Sequence, residues 1–86
     1  MKRELSLAVS VDADEHGIHV TFEDGRVITV PLTERLRTAT PRQRAAGHVT
    51  AFGTWLRWEE IDEDITVRGI VEGRFELPLA AGRIAA

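Results

Sequence analysis

Eighty-six residues with 43% apolar and 29% charged side chains allow one globular domain around one small core. That balance excludes a disordered chain, and no apolar run approaches the roughly 18–20 residues that cross a bilayer as a helix. A net charge of −3 argues against general nucleic-acid binding, and the lack of cysteine removes disulfides, thiolate zinc sites and thiol nucleophiles.

Met1–Val9 has a charged start, but its apolar stretch is too short for a secretory signal. A strand explains it better, because Leu5, Leu7, Val9, Val11 and Ala13 alternate with Ser6, Ala8, Ser10 and Asp12. After a turn at Asp14–Gly17, Ile18, Val20 and Phe22 alternate with His19 and Thr21 in a second strand. Glu23, Asp24 and Gly25 turn the chain into a third strand over Arg26–Val30. A two-residue loop there would put Ile28 and Val30 on the polar face. A three-residue loop with Gly25 left-handed pairs Val20 with Ile28 and Ile18 with Val30, and the apolar pattern selects it.

Pro31 ends that strand, and residues 33–38 suit a helical turn behind Thr33. Thr40, Pro41 and Gln43 predict a capping box opening a short helix that ends near Gly47. His48–Phe52 and Trp55–Trp58 form a hairpin through Gly53–Thr54, with Phe52 facing Trp55 and Val49 facing Trp58. A last helix starts near Asp64 or Thr66, puts Val67, Ile70 and Val71 on one face, and stops at Gly73. Gly69 inside it costs about 1 kcal/mol relative to alanine. Beyond it, Phe75, Leu77 and Leu79 alternate around Pro78, as an edge strand or a docked end. The expected fold is therefore α+β: an antiparallel β-meander plus a second β-hairpin with short helices. Residues 1–73 form the domain and 74–86 a C-terminal tail. Two strands joined by an acidic turn and followed by a short helix occur in both halves, a faint internal echo.

The charges are segregated. Arg35, Arg37, Arg42 and Arg44 lie in a stretch without acids, while Glu59, Glu60, Asp62, Glu63 and Asp64 follow Trp58 without a base. The arginines could contact phosphates, but they lack interleaved aromatics, and the acids at 59–64 are natural partners within one chain or across a dimer. The acids themselves suit the unpaired N–H groups of the helix that follows. Asp12, Asp14 and Glu23 approach a calcium-loop pattern, yet His16 stands at a ligand position and the flanks read as strands. The histidines at 16, 19 and 48 form no ligand spacing, and no acid–histidine–nucleophile set emerges from the sequence. Catalytic residues, cofactor and metal are therefore all expected to be none. Trp55 and Trp58 point to opposite faces of a strand. Trp58 is expected in the core, and Trp55 at an interface or beneath residues 75–79.

Residues Ile18–Leu32, with the Asp24-Gly25-Arg26 turn and Pro31-Leu32, resemble the opening of the bacterial family of unknown function DUF2442. Ala39-Thr40-Pro41-Arg42-Gln43-Arg44 is similar to that family's A-T-x-x-Q-R segment, and Trp58 with Asp62–Val67 to its W-x-x-[IL]-D-E-D-I-[ST]-V ending. The resemblance spans roughly residues 5–73. It departs where Glu59 replaces a usual proline, and where Ala46-Gly47-His48 replaces an aromatic position, which implies a smaller or differently packed core there. The resemblance implies a small α+β fold and no assigned chemistry, so no functional residue transfers. Its relatives include standalone cytosolic proteins, others joined to helix-turn-helix domains, and others beside small toxin-like proteins.

The expected function is a non-catalytic protein-binding or regulatory module, antitoxin-like in the specific case. The expected partner surface draws on Trp55, Glu59, Glu60, Arg35, Arg37, Arg42 and Arg44. A nucleic-acid-associated regulator using the arginine face is the second reading, and a metal binder or small enzyme using Asp12, Asp14 and the acids at 59–64 the third. A homodimer follows from the separated charges and the alternating tail. A cysteine-free domain of this size suits the cytoplasm, with no membrane association.

Overall fold

In the computed structural model, which describes residues 7–73, the period-two stretches become two antiparallel three-stranded meanders. The first contains β1 (Ala8–Asp14), β2 (Gly17–Phe22) and β3 (Val27–Val30). Two single-turn helices follow, α1 (Glu34–Arg37) and α2 (Pro41–Arg44). The second meander contains β4 (His48–Thr50), β5 (Trp55–Trp58) and β6 (Glu63–Thr66), and runs into α3 (Val67–Glu72). The fold is α+β. β1 lies beside β4, and α3 packs on β3 and β6, so the two sheets share one core.

The β2–β3 hairpin has the register that the apolar pattern demands, with Ile18 opposite Val30 and Val20 opposite Ile28. Gly25 turns it with φ +93°, where a side chain would be strained. The two predicted caps also form. Thr33 accepts from the Leu36 N–H, and Thr40 and Gln43 make the reciprocal capping box.

Three expectations need correction. β1 carries a bulge at Val9, where the register passes from Ala8 opposite Phe22 to Ser10 opposite Thr21. The extra residue reverses the faces, so Ala8 is buried and Val9 exposed. The bulge sits where β1 meets the second sheet: a Cβ on Gly53 would lie 2.8 Å from Leu7 Cβ and 3.0 Å from the Ala8 carbonyl oxygen.

That close approach also displaces the second hairpin. Gly53 is drawn into a short 3-10 turn at Ala51–Gly53, so the loop is longer than two residues. Val49 therefore faces Leu56 and Thr50 faces Trp55, and Phe52 leaves the ladder. The slip is by two residues, so the core face is preserved.

The third correction concerns the acidic run, which does not precede a helix directly. Glu59–Asp62 forms a turn, and Glu63–Thr66 pairs with β5 as a strand, Ile65 opposite Leu56. α3 begins only at Val67, and its cap is Thr66, which accepts from the Gly69 N–H at 2.9 Å. Gly73 stops it with φ +77°. Val67 and Ile70 are buried as expected, but Val71 is 46% exposed. The tail at 74–86, with Phe75, Leu77 and Leu79, lies outside the described residues.

The internal echo is architectural: each meander runs into a helix capped by a threonine hydroxyl, Thr33 in one half and Thr66 in the other. The core joins Ile18, Val20, Phe22, Leu36, Leu56, Ile65 and Ile70 around Trp58, which is 1% exposed. The Trp58 indole N–H donates to the Arg44 carbonyl at 2.9 Å. Its ring lies so close to Gly47 that a Cβ there would sit 2.3 Å from it. The small Ala46-Gly47-His48 segment thus accommodates the indole.

Candidate interaction surface

The second sheet turns one face outward, and its side chains follow from register. Arg57 lies between His48 on β4 and Asp64 on β6, and Trp55 lies between Thr50 and Thr66. One rung is ionic and the next is an indole flanked by two threonines.

Arg57 organises the ionic rung. Its guanidinium donates to Asp64 Oδ1 at 2.8 Å and Asp62 Oδ1 at 3.0 Å, with Glu59 at 4.0 Å. The hydrogen bonds to Asp64 and Asp62 raise the Arg57 pKa further above its ordinary value. Asp62 reaches this position by adopting φ +55°, a conformation aspartate tolerates better than most residues. Glu59 also lies 3.5 Å from His48 Nε2.

The other side of the acidic turn meets the arginine segment. Arg35 donates to the carbonyls of Ile61 and Asp62 at 3.2 and 3.0 Å, and lies 3.9 Å from Glu63. The Thr33 hydroxyl donates to Glu63 Oε2 at 2.6 Å while capping α1. Glu60 accepts from Gln43 Nε2 at 3.2 Å and lies 3.7 Å from Arg42. Arg35 and Arg42 therefore meet acids of the same chain, and Arg57 takes most of the rest of the acidic run. Arg37 and Arg44 turn to backbone instead. Arg37 donates to the Leu32 carbonyl at 2.9 Å and lies 3.8 Å from Glu34. Arg44 donates to the carbonyls of Leu36 and Ala39 at 3.4 and 3.0 Å. Arg37 thus ties α1 to the loop that follows β3, and Arg44 ties α2 to α1 and the segment between them. Of the residues expected at a partner surface, Arg42 pairs with Glu60, Arg35 lies by Glu63 and the Ile61 and Asp62 carbonyls, and Glu59 falls on the Arg57 and His48 side of the turn. Trp55 stands apart from it, and Arg37 and Arg44 serve the scaffold.

Trp55 is 40% exposed, and the loop beside it presents Phe52, 96% exposed. Ala51, Phe52 and Gly53 have φ of +53°, +57° and +89°, three left-handed residues in succession. For alanine and especially phenylalanine this conformation costs on the order of 1–3 kcal/mol per residue. No charged residue occurs from Val49 to Leu56. The sequence hid Phe52, because a tight Gly53-Thr54 turn would have kept it in the ladder. The signal that was available is that eight-residue charge-free run.

The first sheet carries a second polar arrangement that the sequence did not reveal. His19 Nε2 lies 3.0 Å from Asp14 Oδ1, and His19 Nδ1 lies 3.0 Å from Thr29 Oγ1. The hydrogen bonds from His19 and from the His16 N–H hold the Asp14 carboxyl below its ordinary pKa. The arrangement links all three strands on an open sheet face, and its hydroxyl is that of an exposed threonine. Beside it, Asp12, Asp14, Glu15 and His16 face Pro41, Arg44 and Ala45 across a shallow groove of about 410 Å³. Asp12 and Asp14 sit on β1, and Glu23 follows β2, so the calcium-like spacing belongs to a β-hairpin rather than to helices. Among the described residues, no group of three or more histidine or acidic side chains is arranged to hold a metal ion. No helix among them is long and apolar enough to cross a membrane.

A family model described as "Protein of unknown function (DUF2442)" matches residues 8–76. No curated protein matches the chain. The crystal structure of a protein of unknown function from Rhodospirillum rubrum is similar, with a TM-score of 0.76 and 25% identity. The match covers 88% of this chain and 96% of that one.

Proposed function

The chain belongs to DUF2442, a family of unknown function, and we propose that it is a non-catalytic protein-binding module whose contact surface is the Phe52–Trp55 loop and the Trp55 rung. The observation that carries this reading is Phe52, held almost wholly in solvent on a strained backbone. A fold stabilised by about 5–15 kcal/mol in total gains nothing from that conformation unless the ring is used. Burying a phenylalanine on a partner contributes about 1.5–3 kcal/mol, and indole rings are enriched at the residues that dominate binding. The partner that fits is a protein with an apolar pocket lined by uncharged groups. Neutralising a small toxin-like protein in the cytoplasm is the specific case we favour; the lack of cysteine is compatible with that compartment.

Nucleic-acid recognition draws less support, because Arg35, Arg37, Arg42 and Arg44 are engaged with acids or carbonyls of the same chain. A homodimer loses one of its two arguments for the same reason: the separated charges meet within one chain. A photo-crosslinking residue placed at position 52 tests the reading in the native cell. One discrete protein adduct at position 52, absent when the same residue is placed at position 42, supports it. Equal labelling from both positions removes it.

A further inference from the structure

We infer that the outer face of the second sheet recognises a basic protein segment: an apolar side chain docks on Trp55, and a neighbouring lysine or arginine enters the carboxylates around Arg57. The inference rests on the protein-binding reading and adds to it the chemistry of the partner. Register puts the two features side by side. Trp55 and Arg57 are two residues apart on β5, so both lie on the face opposite the buried Leu56 and Trp58, about 7 Å apart along the strand. Trp55 has Thr50 and Thr66 on its rung and is 40% exposed, so its own rung offers an uncharged, accessible ring. The adjoining loop adds the exposed Phe52.

The ionic rung beside it is unbalanced. One guanidinium serves three carboxylates: Asp64 at 2.8 Å, Asp62 at 3.0 Å and Glu59 at 4.0 Å. With His48 counted as neutral, one positive charge against three negative ones leaves an excess of negative charge. The carboxylates also stand further into solvent than the cation. The Asp62 and Glu59 side chains are 80% and 69% exposed, against 29% for Arg57.

Charge complementarity selects the occupant. A nucleic-acid backbone would meet the excess negative charge with its own. A second copy docked on this face about a two-fold axis would set the same acids against each other. A wholly apolar partner would strip water from Glu59 and Asp62 and supply no cation in return. A lysine or arginine one rung away from an apolar anchor meets both neighbours at once, and the fork of a guanidinium suits paired carboxylates especially. An extended segment supplies that spacing two residues from the anchor, and a helix three or four.

A phage-displayed library of random peptides, selected against the full-length protein, provides the test. Enriched peptides should pair an apolar residue with lysine or arginine at one of those spacings. A peptide synthesised from the enriched set should shift the Trp55 indole resonance, with the buried Trp58 as an internal reference, and added salt should weaken it several-fold. Glu59→Gln with Asp62→Asn removes two of the three negative charges and keeps side-chain shape, and asparagine tolerates the left-handed backbone at position 62. That variant should bind the peptide several-fold more weakly and lose the salt dependence. Glu59→Lys leaves the two short contacts of Arg57 in place and should turn the selection toward peptides carrying aspartate or glutamate. Enrichment of apolar residues without a base overturns the inference. So does binding that both variants leave unchanged, or a basic peptide that fails to move the Trp55 resonance. None of these results touches the protein-binding reading if position 52 still gives one discrete adduct in the cell. Basic peptides seated on Trp55, with equal labelling from positions 52 and 42, leave this inference standing and defeat that reading alone.

Discussion

Trp58 is held by one hydrogen bond and one missing side chain. The bond runs to the Arg44 carbonyl, and the missing side chain is that of Gly47, whose place the indole occupies. Gly47→Ala should destabilise the fold by about 1–3 kcal/mol through overpacking, read as a lower denaturation midpoint with an unchanged slope. Full stability in that variant would show that the ring can move aside. Asp14 makes a pH prediction. Its pKa is lowered in the fold by the His19 hydrogen bond and the His16 N–H. A carboxylate with a depressed folded pKa contributes stability above its unfolded pKa, about 3.9, and loses it as pH falls through the folded value. Asp14→Asn should therefore lower stability at neutral pH and flatten the loss on acidification, measured by urea unfolding across that range. Parallel curves for both proteins would contradict the assignment. At this scale the sequence was informative about single conformations, such as Gly25 and the Thr40–Gln43 cap, because each depends on neighbours within a few residues. The contact of Gly47 with Trp58, like the Asp14–His19–Thr29 set, depends on strands coming together and had no local signature.

Elements followed the same division. β2, β3 and the two capped helical turns were legible from alternation and caps, and Thr66 was a recognisable cap for α3. β6 was not legible. Its alternation is only four residues long and three of those are polar, so Asp62–Asp64 suited a helix start equally well. The strand is settled by its partner β5, which supplies Leu56 opposite Ile65 and Arg57 opposite Asp64. Thr66→Ala should cost about 1 kcal/mol as the loss of a helix cap, while Asp64→Ala should leave α3 intact. Amide exchange separates the two: α3 amides should exchange faster in the first variant and not in the second. Faster α3 exchange in Asp64→Ala would restore the helix-cap role of that acid. The β4–β5 loop departs from a tight Gly53-Thr54 turn for a tertiary reason as well, since Gly53 packs closely against Leu7 and Ala8.

Across the whole molecule, the segregated charges that invite a docking or nucleic-acid reading form one internal seam. The acidic turn joins α1, α2 and the second sheet through Arg35, Arg42, Gln43 and Arg57. Beside the seam, the second sheet and its loop expose two uncharged aromatic rings, Phe52 and Trp55. On the reading proposed above, Phe52 is kept in a strained conformation for binding, and Phe52→Gly separates the strain from the use of the ring. Glycine occupies φ +57° without strain, and relief of about 1–3 kcal/mol outweighs the roughly 0.4–1 kcal/mol of chain entropy that glycine costs, so stability should rise by on the order of 1 kcal/mol. Chemical unfolding of this variant, paired with recovery of whichever protein crosslinks to position 52, gives both halves of the result. Higher stability with lost capture is predicted. Lower stability, or capture undiminished without the ring, would contradict the account.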